Sequence, residues 1–203
     1  MKKFITTLAL LLVAVASFAQ ETFTSSALSN SAKVNVEHRG EYYIGGVFSD
    51  KFEMASETYY SVLSRPVIEV KHGVILSDMF YISAGVSMQV FMGKCFPKVT
   101  DIEKWNTVIF PVMINFKHFA PLKASVKPYV STSVGFPIVA TSTFGHDLQG
   151  KGYVDAGIGV EYRSFLCEVG YQFNSLVLYG HDDISGTTMK FGGMYLKLGL
   201  TFK

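Results

Sequence analysis

The feature that most constrains this chain is where its charges fall. Downstream of residue 33, apolar and polar residues alternate with a period of two. Within the alternating segments every Asp, Glu, Lys and Arg lies on one parity. The last segment shows the rule. Met194, Leu196, Leu198, Leu200 and Phe202 hold one parity, and Tyr195, Lys197, Gly199 and Thr201 hold the other. Such alternation is the mark of a strand whose two faces meet different surroundings. Eight segments follow it, over 34–48, 67–74, 81–92, 108–117, 126–135, 154–163, 165–174 and 194–202. No segment of helical length repeats at 3.6 residues. A Lys or Arg facing lipid at the bilayer midplane costs roughly 2–4 kcal/mol, and exclusion of charge from one face of eight strands is what that cost enforces.

Parity alone does not say which face points inward, because a soluble barrel also alternates. Three features favour a membrane barrel. The polar parity is rich in small residues, such as Ser83, Gly85, Ser87, Ser131, Ser133, Gly157, Gly159 and Gly170, which leave room for long charged side chains in a narrow lumen. Aromatics on the apolar parity gather near strand ends, at Tyr42, Phe116, Tyr162, Phe165 and Phe202, as in interfacial girdles. Connections also alternate in length. The short ones are 77–79, 120–125 and 163–164; the long ones are roughly 49–64, 93–106, 137–151 and 176–188. Short periplasmic turns and long outer loops are the transmembrane pattern, and an even strand number puts both termini in the periplasm. Pro111 sits inside the fourth segment, where a closed barrel has no free edge to receive it, so a local bulge is expected there.

The N-terminus adds an export signal. Lys2 and Lys3 precede an apolar run from Phe4 to Phe18, and Ser17 and Ala19 fit a cleavage site before Gln20. The run is shorter than the ~20 residues of a spanning helix, so it reads as a cleavable signal peptide. The expected organisation is a signal peptide over 1–19, a short segment over 20–33 and a barrel domain over 34–203. Loss of Lys2 and Lys3 leaves 16 basic against 16 acidic residues, from 18 and 16 in the full chain. The slight positive charge therefore belongs to the precursor and gives no reason to expect a nucleic-acid partner. Charged residues are 17% of the chain, below the about 25% of ordinary soluble domains. Cys95 is expected in an outer loop and Cys167 near the periplasmic end of a strand, too far apart for a disulfide.

On the segments RPVIEVKHGVILSDMFYISAGVSMQVFMG, IFPVMINFKHFAPLKASVKPYVSTSVGF, GYVDAGIGVEYRSFLCEVGYQF and MYLKLGLTFK, the chain resembles the OmpA/OmpX-like family of small outer-membrane β-barrels. The resemblance implies an all-β fold, an eight-stranded antiparallel up-and-down transmembrane barrel in the cell outer membrane. In that family a terminal aromatic is read by the barrel-assembly machinery. Phe202 matches it, although Lys203 follows where many members end on the aromatic.

The polar parity carries Glu37, Glu41, Glu69, Asp155, Glu161 and Glu168 against Arg39, Lys71, Lys117, Lys127, Arg163 and Lys197. An eight-stranded barrel is just wide enough for side chains to fill it. Unpaired charges there would cost several kcal/mol each, so the lumen is expected to be salt-bridged and plugged, with Glu37 and Arg163 at the rims. The expected role is structural or surface-binding. Its partners would be outer-membrane lipid and lipopolysaccharide, the barrel-assembly machinery and a surface ligand held by the loops, where Phe52, Tyr59, Tyr60, Phe96 and Trp105 cluster. A narrow porin-like channel is the alternative. A lipid-modifying enzyme is a lesser one, resting on His146-Asp147, His181-Asp182-Asp183 and Ser185, whose spacing matches no catalytic or metal motif. No catalytic, metal or cofactor residue is therefore assigned. His38, His72 and His118 fall on the apolar parity and read as interfacial residues.

Overall fold

A computed structural model of the chain describes residues 36–54, 57–61, 65–99, 102–121, 125–142, 147–179 and 186–202. The expected signal peptide over 1–19 and the segment over 20–33 lie outside them. The strands are β1 (Val36–Met54), β2 (Glu57–Ser61), β3 (Arg65–Leu76), β4 (Phe80–Val99), β5 (Ile102–Phe119), β6 (Val126–Ser142), β7 (Asp147–Tyr162), β8 (Phe165–Tyr179) and β9 (Thr188–Phe202). All pairings among them are antiparallel. β2 and β3 are two pieces of one stave, since each pairs with β1 on one side and β4 on the other. The nine segments therefore make eight staves. The β1–β9 ladder, from Gly40↔Phe202 to Met54↔Met189, closes them into a cylinder.

The ladder fixes the tilt. Paired residues traced once around the wall run Glu41, Lys71, Gly85, Met113, Gly135, Tyr153, Asn174, Phe191 and then Phe52. The path returns to β1 well above its start. That stagger is the shear that tilts barrel strands by about 35–45°. Both ends of the barrel chain, Val36 and Phe202, lie at the end that also holds the short turns. We call this the termini end and the opposite one the hairpin end.

The short turns form where the sequence places them. Ser77 and Asp78 take φ of 50° and 59°, and the Met79 N–H donates to the Leu76 carbonyl at 3.1 Å. Positive φ at successive turn residues matches the twist of a hairpin. Arg163, at φ 57°, makes the two-residue link between Tyr162 and Phe165.

The two parities separate as the charge pattern requires. The outward face is apolar and open, with Ile44 66%, Ile158 62% and Leu198 56% exposed. The inward face holds Glu41, Glu69, Lys71, Lys117, Glu168 and Lys197, all buried. The girdle residues Tyr42, Phe116, Tyr162, Phe165 and Phe202 point outward at the termini end, and Tyr42 stacks on Phe202 with ring centres 4.6 Å apart. His38 and His72 are also outward, stacked at 6.2 Å, while half-buried His118 lies against Phe80 at 4.7 Å.

Three expectations are corrected. First, the long connections are mostly strand. β1 runs to Met54, β4 to Val99, β6 to Ser142 and β8 to Tyr179. Backbone pairing needs no side-chain alternation, so these extensions leave no trace in the period. Their outward face carries exposed Glu53, Lys151 and Lys190, charges that become tolerable above the apolar belt. Second, Cys95 lies in β4 opposite Ser61 rather than in a loop; Cys167 is the third residue of β8, at the termini end, and its thiol is free. Third, Pro111 causes no bulge. It faces Pro137 across β5–β6, and against β4 the ladder breaks between Val86↔Val112 and Gln89↔Ile109 without changing register. A missing N–H removes a ladder bond but does not by itself insert a residue. The bulge falls at Val108/Ile109 against β6 instead.

Candidate functional site: a filled lumen

The interior is built in tiers. At the termini end a recess of about 470 Å³ opens among Glu37, Arg39, Asp78, Lys127, Glu161 and Arg163. Arg39 forms its floor, with Nη2 2.6 Å from Glu161 Oε2 and 3.0 Å from Glu41 Oε1. Of the charges expected at the rims, Arg163 is exposed and Glu37 half-buried; Glu161 joins the network through Arg39.

Above the recess lies Lys117. Its Nζ donates to both oxygens of Glu41, at 3.0 and 2.8 Å, and to the Tyr43 hydroxyl at 2.7 Å. Four rings surround the ammonium, with centres at 4.3 Å (Tyr129), 5.3 Å (Tyr43), 5.6 Å (Tyr81) and 5.9 Å (Phe119). They come from β1, β4, β5 and β6. Aromatic faces and one carboxylate stabilise a cation that burial alone would disfavour.

The middle tier joins β3, β7, β8 and β9. Glu69 receives Lys71 at 2.6 Å and Lys197 at 3.0 Å, and Lys197 lies 3.5 Å from Asp155. Tyr153 donates to Asp155, and Tyr195 donates to Glu168 at 2.8 Å. All of these side chains are buried. The glycines on this parity are what admit the large ones. A Cβ at Gly157 or Gly170 would strike the Tyr195 ring or hydroxyl, one at Gly159 the Tyr129 ring, and one at Gly85 the Lys71 stem.

Next comes an amide tier. Gln172 and Asn174 donate to Gln89 Oε1 at 3.0 and 3.2 Å, and Arg65 reaches the same oxygen at 3.4 Å. The hairpin end is apolar: Phe91, Ile109, Leu176, Leu178, Met189 and Phe191 are buried, with Phe91 and Phe191 packed edge to face at 5.0 Å. Buried side chains line the interior at every tier from the recess to this layer.

Arg39, Arg65, Lys71, Lys117 and Lys197 thus meet Glu41, Glu69, Asp155, Glu161 and Glu168 in one column. Of the twelve inward charges read from the sequence, nine enter this column, while Glu37, Lys127 and Arg163 line the recess. Sequence reasoning missed Arg65. It shares the parity of Val67 and Glu69, so extending the second segment by one step of two would have found it. His146, His181, Asp182, Asp183 and Ser185 lie outside the described residues; Asp147 opens β7 opposite Tyr179. Among the described residues no group of three or more His, Cys, Asp or Glu side chains could hold a metal ion, and no helix is long and apolar enough to cross a membrane, which says nothing against a barrel that crosses with strands.

No protein-family model matches the sequence. No curated protein matches it either. Solved structures do. The outer membrane protein AlkL, determined in DMPC lipid bilayers, superposes with a TM-score of 0.50 at 11% identity, over 86% of this chain and 94% of that one. OprG from Pseudomonas aeruginosa gives 0.49 at 10% identity, over 80% and 96%. Neisserial surface protein A gives 0.46 at 10%, over 83% and 99%. Identity at this level bears on fold alone. The closed antiparallel wall, its apolar exterior and its charge-filled interior agree with it: the chain is a small eight-stranded β-barrel with the fold of an outer-membrane protein.

Proposed function

We propose that this protein is an integral barrel of the Gram-negative outer membrane whose lumen is plugged, and that it serves as a non-conducting scaffold presenting its hairpin end to the outside. The termini end then faces the periplasm. The observation that supports this best is the ion-paired column: every tier from Arg39 to Phe191 is packed with buried side chains. Ion flow would require several pairs to separate together, and each separated pair leaves a buried charge uncompensated at a cost of several kcal/mol. The protein enters the export route by the leader over 1–19, loses it before Gln20, and is inserted by the barrel-assembly machinery through its last strand, where Phe202 supplies the aromatic. It acts without a cofactor and without catalysis, as a structural or surface-binding element among lipid and lipopolysaccharide.

The test is conductance in planar bilayers. The refolded barrel is expected to give no large, stable single-channel steps, and such steps would establish the narrow-pore alternative. Envelope fractionation with heat-modifiable gel migration tests the location. A soluble periplasmic pool would overturn it.

A further inference from the structure

The outer wall is irregular between β6 and β7. Their ladder ends at Gly135↔Tyr153, yet β6 continues along β5 to Ser142 and β7 begins along β8 at Asp147. In that interval Pro137 offers no N–H. Gly150 sits so close to the Pro137 carbonyl that a Cβ would not fit. β7 bulges between Gly150 and Gly152, and the extra residue, Lys151, is thrown outward and exposed. The result is a trough of about 450 Å³ lined by Phe136, Gln149, Lys151, Val177, Tyr179 and Thr188. Among the described residues no acid lines it. The Lys151 ammonium donates to Thr188 Oγ1 at 3.3 Å, and among the described residues this leaves two of its three protons for another acceptor.

Height identifies the setting. From Tyr162, in the lower girdle, β7 climbs to Lys151. At about 3.3 Å per residue and a tilt of about 40°, that rise is roughly 25–30 Å. The apolar band of a transmembrane barrel is about 25 Å tall. Lys151 therefore stands just above the upper edge of the band, at headgroup level, while Phe136, next to the Gly135↔Tyr153 pair, faces the hydrocarbon below it.

We propose that this trough seats a phosphorylated glycolipid of the outer leaflet, with a phosphate on Lys151, sugar hydroxyls within reach of Gln149 and Thr188, and an acyl chain along Phe136. Charge complementarity selects the occupant: Lys151, the one cation of the trough among the described residues, lies where such a lipid carries its phosphates, and the apolar wall at Phe136 continues directly from the membrane-facing belt. The inference rests on the outer-membrane reading. That reading fails by fractionation, whereas this one fails by lipid selection in a defined bilayer, so the two failures are distinguishable.

The full barrel is reconstituted in phosphatidylcholine nanodiscs doped with bisphosphorylated lipid A, dephosphorylated lipid A or phosphatidylglycerol, and the lipid retained per barrel is read by native mass spectrometry. Bisphosphorylated lipid A is expected to be retained over both others. Lys151→Gln should lower that retention roughly fivefold, the order of a partly exposed charge-assisted contact. Lys151→Arg should keep most of it. Lys127→Gln, the same charge change at the opposite end of the barrel, should leave it unaltered. Unchanged retention in Lys151→Gln, or equal retention of phosphatidylglycerol, overturns the proposal.

Discussion

The two ends of the lumen are filled by opposite means. The termini end packs ions against tyrosines and opens on a recess. The hairpin end packs Phe91, Ile109, Leu176, Met189 and Phe191 with no charge among them. The difference shows how one tube can keep ten charges out of water. An apolar layer at the hairpin end excludes solvent, and exclusion of solvent strengthens each ion pair beneath it. The charged tiers in turn bind staves distant in sequence, since Lys197 on β9 reaches Glu69 on β3 and Lys117 on β5 reaches Glu41 on β1.

The charged end should be the more fragile to single changes. Glu69→Ala strips the partner from Lys71 and from half of the Lys197 contacts, and about 3–5 kcal/mol should be lost, read by urea unfolding of the barrel in lipid vesicles. Removing Lys197 as well, by Lys197→Met, should recover part of that loss, since an uncompensated cation goes with it. A loss below about 1 kcal/mol for Glu69→Ala would mean that water reaches this tier. The apolar end should respond less sharply. Phe91→Leu keeps bulk but gives up the edge contact with Phe191 and the face offered to Arg65 at 4.4 Å; about 1–2 kcal/mol is expected by the same assay. Recovery by a second change at Phe191 would show that this end is coupled as strongly as the other. The smallest effect belongs to neither. Glu53 and Lys190 pair at 3.6 Å on the exposed outer face, so Glu53→Ala should shift stability by less than about 1 kcal/mol, and high salt should erase the shift.

The charged end was legible in the sequence and the apolar end was not, for a physical reason. A charge inside a membrane barrel has one acceptable direction, so parity alone assigned Glu41, Glu69, Lys71, Lys117, Glu168 and Lys197 to the interior. An apolar residue is acceptable on either face. Leu176 and Met189 therefore gave no sign that they point inward, since their segments stop short of them, whereas Ile109 shares the parity of Lys117. The turns at 77–79 and 163–164 were legible from length and spacing. The stagger of the ladder was not, since nothing in any single strand encodes its offset against a neighbour. The trough at Lys151 depends on that offset and on a bulge, and a sequence period cannot report either.

The strands that run past the apolar belt leave short spans between their ends, at 55–56, 100–101 and 143–146. The first two are flanked by paired residues of the strands they join: Met54↔Glu57 at the first and Val99↔Ile102 at the second. Among the described residues, a partner reaching the hairpin end would meet hydrogen-bonded strand ends beside these two spans, and would lose little ordering entropy on binding to them. The same strand ends are a mounting frame. A foreign peptide spliced at 100–101 would enter with its two ends already held at strand spacing, while the ion-paired column that holds the barrel together lies tiers below.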